Sequence, residues 1–250
     1  MNELLSGLKG KVILITGGAS GIGLAAAEVA AASGAHVICA DVAQSQAMPS
    51  GCEFQALDVT DWEMTRALVE KILAQHGAVD GLVTSAGISR VGNLQEMTLQ
   101  EWEQVLQVNL TGTMLSARAV AAHMKQRKQG SIVAIASING ILGNPSNLAY
   151  CTSKGAVIQM VRSLAADLGP HGVRINAISP GLIHTPMTAG LDQSPAYNGF
   201  VKQHLLHRAG QAREVGNAIA FLLSYMASFI TGTNIPVDGG FSAAKVIEMY

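Results

Sequence analysis

Short apolar runs and segments of helical spacing alternate along the whole chain. Residues 11–16 (KVILIT) form a β-branched run that ends in a glycine-rich turn, and from 21 to 33 the apolar positions take helical spacing with a row of alanines. A second buried strand is read at 35–40 (AHVICA), ending at Asp41, and a third at 54–59. Thr60 or Asp61 then caps a helix that runs to about His76. Further strands are read at 81–85 (GLVTS), 131–137 (SIVAIAS), 174–179 (RINAIS) and 234–237 (NIPV). Thr98 and Glu101 form a capping box at the head of a long helical stretch through Met124. Another helix covers 147–168 and closes at Gly169-Pro170. Continuous apolar strands separated by helices predict a parallel sheet covered on both faces. The expected fold is α/β, a doubly wound sheet of about seven parallel strands in a single domain spanning 1–250. In such sheets ligands bind beyond the carboxyl ends of the strands, so chemistry is sought there.

Composition narrows the possible partners. The 250 residues are 49% hydrophobic and only 13% charged, which favours a large core or an oligomer and excludes global disorder. Sixteen Lys and Arg against 17 Asp and Glu leave no basic excess for phosphates along a duplex, and 4% aromatics offer no base-stacking platform. No nucleic-acid partner is expected. The first residues lack a secretory pattern and no apolar run reaches the ~18 residues of a membrane span, so a cytoplasmic protein is expected. Cys39, Cys52 and Cys151 are odd in number without CxxC spacing, which predicts reduced thiols and no metal site. His204 and His207 lack a nearby carboxylate or thiolate and are read as one or two solvated histidines. Cys151 points about 100° away from Tyr150 on a helix and is read as packing.

Three strand ends carry candidate chemistry. Gly17, Gly21 and Gly23 follow the first strand and open a helix, so the backbone can approach a pyrophosphate and aim free N–H groups at it. Asp41, closing the second strand, can accept hydrogen bonds from a ribose diol and would repel a 2′-phosphate; Ser20 and Val42 offer that phosphate no cation. The fifth strand ends at Ser137, and Tyr150 and Lys154 follow at i and i+4, on one helix face. An ammonium stabilises a phenolate, and a serine hydroxyl can hold a substrate oxygen. These groups suit proton transfer at a carbinol oxygen while a hydride moves at its carbon.

Together the motifs resemble the single-domain form of the short-chain dehydrogenase/reductase family over essentially the full length. The matching residues are 16–23 (TGGASGIG), Asp58-Val59, Ala86-Gly87, Asn109, Ser137, Tyr150, Lys154, and Pro180-Gly181 followed by Thr185. The resemblance implies a Rossmann-type fold and a nicotinamide-dependent oxidoreductase acting on an alcohol/carbonyl pair. It implies Tyr150 as acid/base, Ser137 as orienter of the substrate oxygen, and Lys154 as holder of the nicotinamide ribose that also lowers the tyrosine pKa. Asn109 would position a relay water. Gly17, Ser20, Gly21, Ile22 and Gly23 would serve the pyrophosphate, and Asp58 and Val59 the adenine. Ser85, Ala86 and Gly87 would meet the cofactor through their backbone, and Pro180, Gly181, Ile183 and Thr185 would meet its nicotinamide end. One departure stands out: the family's Asn-Asn-Ala-Gly is here Thr84-Ser85-Ala86-Gly87, whose shorter side chains put the tie to the sheet centre in question.

The expected activity is that of an NAD(H)-dependent dehydrogenase of a secondary alcohol or ketone. Rivals are a 3-oxoacyl-thioester reductase, which shares every motif, and a sugar-nucleotide epimerase, which has a longer chain. A third is a non-catalytic NAD-binding regulator, which should have lost part of the tetrad. The irregular stretch 184–206 is expected to be a substrate lid. It shares specificity with 138–148, and neither carries an arginine; Lys202 is the one such cation. A neutral or mildly polar small molecule is therefore the expected substrate. The resemblance favours a homotetramer, and apolar Phe241, Val246, Ile247 and Met249 hint at a docked tail.

Overall fold

The computed structural model describes residues 7–44, 48–194 and 196–244. The first apolar run is strand β1 (Val12–Thr16), buried at every position, and the glycine turn leads into helix α1 (Gly21–Ala32). Strands β2 (His36–Asp41) and β3 (Cys52–Ala56) follow, then helix α2 (Trp62–His76), capped by Asp61, whose carboxylate accepts the Met64 N–H. After β4 (Gly81–Thr84) come α3 (Leu99–Leu106) and α4 (Gly112–Arg127), joined by a π turn at Gln107–Thr111. The Thr98–Glu101 capping box opens α3 as expected. Strand β5 (Gly130–Ile135), the 21-residue helix α5 (Leu148–Leu168) and strand β6 (Val173–Pro180) complete the central part. The last quarter holds β7 (Ile183–His184), α6 (Ala196–Gln203), β8 (Gly210–Gln211), α7 (Ala212–Leu223) and β9 (Asn234–Val237).

Seven strands form one all-parallel sheet in the order β3-β2-β1-β4-β5-β6-β9. The direction of winding reverses between β1 and β4, the switch point where open α/β sheets place their ligands. Alternate side chains feed two cores. Leu14, Ile38, Leu82 and Ile132 meet α2, α4 and α5 on one face, while Ile13, Ile15, Val37 and Val133 meet α1 and α7 on the other. Burial on both faces is why the strands read as unbroken apolar runs. The register sets Thr16 beside Ala40 and Thr84, so the carboxyl ends of β2, β1 and β4 end flush and their loops open on one rim.

Three elements differ from expectation. Strand β3 runs from Cys52 to Ala56 and stops short of Val59, because the Asp58 carboxylate accepts both the amide and the hydroxyl of Thr60 and turns the chain away. The helical stretch runs through Met124 as expected, but a π turn interrupts its α geometry. Helix α7 was not anticipated; Gln211 and Glu214 cap it, and Val215, Ile219, Leu222 and Leu223 bury its inner face. No helix among the described residues is long and apolar enough to cross a membrane.

Candidate active site

The rim above β1 is built by close backbone contact. Gly17 has φ +68°, and a Cβ there would lie 2.5 Å from the Ala86 amide nitrogen, so only glycine lets the β1 and β4 loops touch. A Cβ at Gly23 would fall 2.1 Å from the Gly17 carbonyl oxygen. Gly23 therefore packs the turn from beneath rather than lining the cleft. Ser20 stands at the N-cap of α1 without a side-chain capping bond, which leaves the first-turn N–H groups open to an anion. Asp41 braces the same turn: one carboxylate oxygen accepts the Ala19 N–H at 3.1 Å and the other the Val42 N–H at 2.8 Å.

Beyond this turn a cleft of about 520 Å³ runs along the carboxyl ends of the strands. Of the expected cofactor residues, Gly17, Ser20, Gly21, Ile22, Asp41, Asp58, Val59, Ser85, Ala86, Gly87, Pro180, Gly181, Ile183 and Thr185 line it, together with Ser137, Tyr150 and Lys154. Thr185 folds over the start of α1, its Cβ lying 3.4 Å from where a Cβ on Gly21 would sit. Thr188 closes that corner by donating to the Ile183 carbonyl at 2.7 Å and accepting the Thr185 N–H at 3.1 Å. Gln104, Gln107 and Val108 also line the cleft and were missed, whereas Met187 and Thr188 line it from the expected lid segment. The first three sit at the α3 end, where an uninterrupted helical pattern hid the turn that aims them.

Ser137, Tyr150 and Lys154 converge at the inner end. Ser137 stands beside the Tyr150 phenol, and its Oγ accepts the Asn139 N–H at 3.1 Å. Burial pushes the phenol above its ordinary range, and Ser137 pulls it part of the way back. Lys154 is only 5% exposed; burial lowers its pKa to about 8. Its Nζ donates to the Ile135 carbonyl at 2.7 Å and lies 5.7 Å from the Tyr150 ring centre. The expectation that Lys154 depresses the tyrosine is thus not met in the chain by itself, because desolvation outweighs every other influence on the phenol.

Asn109 sits within the helical stretch where it was expected. It is wholly buried in the π turn and does not reach the cleft. Its Oδ1 accepts the Ile88 N–H at 2.8 Å, while Nδ2 donates to the Ile88 carbonyl at 2.9 Å and to Ser153 Oγ at 3.0 Å. Ser153 in turn donates to the Tyr150 carbonyl at 2.8 Å. Asn109 thereby ties the β4 loop to the first turns of α5, and Ser153, which carried no sequence signal, is the link.

With this geometry, known proteins can be compared. A family model described as enoyl-(acyl carrier protein) reductase matches residues 17–242. The chain is 38% identical over 242 residues to the 3-oxoacyl-[acyl-carrier-protein] reductase of Thermotoga maritima, covering 93% of this chain and 98% of that one. It is 37% identical over 243 residues to the cyclopentanol dehydrogenase of a Comamonas species, covering 93% and 97%. A solved gluconate 5-dehydrogenase from Burkholderia cenocepacia, in complex with NADP and tartrate, superposes with a TM-score of 0.90 at 31% identity, covering 96% of this chain and 99% of that one. The chain belongs to the short-chain dehydrogenase/reductase family. As a member it is an oxidoreductase of alcohol and ketone substrates that uses a nicotinamide cofactor.

Against the family pattern, the Thr84-Ser85 departure has a visible cost. Thr84 Oγ1 is buried without a hydrogen-bond partner, although the Ser85 N–H still reaches the Thr16 carbonyl at 2.9 Å. Of the histidine pair, one is solvated and the other is not. His207 is exposed, but His204 is 1% exposed and packs its ring edge-on against Phe241 at 4.9 Å, because two backbone groups satisfy its nitrogens. All three cysteines are free thiols. The neighbouring thiols of Cys39 and Cys52 push Cys39 up and Cys52 down, and Cys52 Sγ donates to the Ala27 carbonyl at 3.8 Å. Phe241 stacks on Phe200 at 5.9 Å, whereas Val246, Ile247 and Met249 lie outside the described residues.

Proposed function

We propose that this short-chain dehydrogenase/reductase is an NAD(H)-dependent enzyme interconverting a secondary alcohol and a ketone, with Tyr150 as the acid/base. The observation that carries the reading is the convergence of Ser137, Tyr150 and Lys154 in the same cleft as the glycine turn and Asp41. A bound nicotinamide supplies or accepts the hydride. Ser137 orients the substrate oxygen and Tyr150 exchanges its proton. Lys154, fixed by the Ile135 carbonyl, holds the nicotinamide ribose. Gly17, Ser20, Gly21 and Ile22 hold the pyrophosphate, with Gly23 beneath them. Asp58 and Val59 flank the adenine, Ser85, Ala86 and Gly87 approach through their backbone, and Pro180, Gly181, Ile183 and Thr185 hold the carboxamide end. Asn109 serves from behind: its side chain is spent on Ile88 and Ser153 and its carbonyl accepts the Thr113 hydroxyl at 2.8 Å, so a relay water would share that carbonyl.

The NAD preference rests on Asp41. Its carboxylate lines the cleft beside Val42, and 42–48 contains no lysine or arginine to meet a 2′-phosphate. The gluconate 5-dehydrogenase relative was solved with NADP, so the preference is argued from this chain's own residues rather than from its neighbours. The test is kcat/KM with both cofactors across alcohols and ketones of graded size and charge. Turnover better with NADPH would overturn the assignment, and no turnover with tight NADH binding would favour a regulator. A second reading, reduction of a 3-oxoacyl thioester, is favoured by the similarity to the Thermotoga protein. Faster turnover on acetoacetyl thioesters than on small ketones would establish it.

The segment 184–206 is proposed as the lid. It is built from short 3-10 turns and α6, carries exposed Met187, and reaches the cleft through Thr185–Thr188. Ligand-induced protection of this segment in hydrogen exchange supports it; full protection without ligands refutes it. A homotetramer is proposed from the sparse charge of α5 and the exposed Tyr225, Met226 and Phe229. Free thiols support a cytoplasmic location.

A further inference from the structure

We infer that His204 is a positioning residue for the cofactor. It holds the Leu182 amide and so fixes the strap of Gly181, Leu182 and Ile183 that borders the nicotinamide end of the cleft. The inference rests on the cofactor placement proposed above and extends it to a residue outside the cleft.

The Leu182 N–H donates to His204 Nε2 at 3.1 Å, and Nδ1 lies 2.9 Å from the Phe200 carbonyl in α6. A backbone N–H can only donate, so Nε2 is the bare nitrogen and Nδ1 carries the proton to Phe200. Both ring nitrogens are thus committed, in a side chain almost wholly buried. Three other backbone groups of the strap are held without His204: the Ile183 carbonyl accepts the Thr188 hydroxyl at 2.7 Å, and two pair with backbone. Gly181 N–H donates to the Val237 carbonyl at 3.0 Å, and the Leu182 carbonyl accepts the Gly210 N–H at 2.8 Å. The Leu182 N–H depends on a side chain that stands 22 residues on, just past the end of α6.

The surroundings are shaped to admit the ring. A Cβ on Gly181 would lie 2.8 Å from His204 Nε2 and 2.9 Å from Asp238 Cα, so glycine here makes room for the imidazole. Phe241 presses on the ring from one side. Asp238 faces it from the turn after β9, held by Ser242 and the Gly240 N–H. Across the small cavity behind the strap, Arg208 and Glu214 pair with each other. His204 therefore links the lid helix α6 to the floor on which Gly181 and Ile183 line the cleft. Loss of its acceptor would strand a buried N–H and free the strap to turn.

The test compares wild type, His204→Leu and His204→Gln; the Gln amide oxygen can stand where Nε2 accepts. NADH and ADP-ribose affinities are measured by titration, and exchange of the Leu182 amide by NMR. Stranding a buried donor costs enough to weaken NADH by ~10-fold in His204→Leu, while ADP-ribose, which lacks the nicotinamide, stays within ~2-fold. His204→Gln should restore NADH to within about threefold, and Leu182 exchange should quicken in the leucine variant and slow again in the glutamine one. Should the leucine variant not fold, His204→Asn, whose acceptor stops one bond short, takes its place with the same expectations. Unchanged NADH affinity in His204→Leu overturns the inference. So does a parallel loss of NADH and ADP-ribose that glutamine does not rescue, since that marks a core residue only. Wild type binding neither ligand would overturn the cofactor placement instead, and Leu182 exchange alone would then decide whether the latch exists.

Discussion

Thr84 stands beside Thr16 in the register between β4 and β1, both side chains buried, and the Thr84 hydroxyl finds no hydrogen-bond partner among the described residues. An unsatisfied buried hydroxyl costs about 1–3 kcal/mol, and an apolar group of the same shape removes that cost. Thr84→Val should stabilise the protein by about 1 kcal/mol, read as a higher midpoint in urea with unchanged slope. A loss of stability would show that the hydroxyl binds an ordered water.

Asp41 both braces the glycine turn and faces the cleft. Asp41→Ala removes a repulsion toward a 2′-phosphate and an attraction toward a diol, so the NAD preference should fall by ~10-fold or more in kcat/KM. It also removes the acceptor of the Ala19 N–H and should lower stability by about 1 kcal/mol. A variant that keeps its preference would place cofactor selection elsewhere.

Tyr150→Phe keeps the ring and deletes the atom that carries the proton. Turnover should fall ~10²-fold or more while NADH binding persists. Because Ser137 is what pulls the phenol down against burial, Ser137→Ala should leave the tyrosine higher. The rise of oxidation rate with pH should then move to more alkaline pH as well as losing height. A limb that stays in place would assign the ionisation to another group.

Lys154 gives a stability prediction with a definite sign. Its folded pKa, about 8, lies below the unfolded 10.5, so between these values the unfolded chain binds the extra proton and stability rises with pH. The cost of burying the ammonium is fully present below about pH 8. Moving from about pH 7 to about pH 9.5 should stabilise wild type by about 2 kcal/mol relative to Lys154→Met. Urea unfolding of both proteins at the two pH values checks this. No change in their difference would mean that Lys154 stays charged throughout.

Sheet and helices were legible because each strand is buried on both faces and each helix on one, so the apolar pattern changes period where the structure does. The glycine turn, Asp41, Ser137, Tyr150 and Lys154 were legible for a related reason: each lies at a fixed offset from the end of its element. Asn109 was legible as a position but not as a contact. A π turn has no signature in apolar spacing, and it is what swings the side chain to Ile88. His204 gave no signal because its partners, Leu182 and Phe200, contribute backbone atoms, which are the same in every residue. Strand β3 was misplaced because a side chain, Asp58, ends it where apolar residues continue.

The turn at Gln107–Thr111 also governs what kind of change this chain can absorb. Closed from i to i+5, it holds one residue more than an α turn. Deleting any one of its residues would let 99–127 continue as a single α-helix, the more regular conformation. Because the turn absorbs that residue within one revolution, α4 leaves it in the phase of a plain α-helix one residue shorter. The deletion would therefore keep Val120 and Met124 on the core they now fill, while Asn109 would lose the swing that carries it to Ile88. A deletion elsewhere in 99–127 would turn a whole helix face by about 100°; here it costs only the tie to the β4 loop. Length variation among relatives in this helix should therefore concentrate at these five positions.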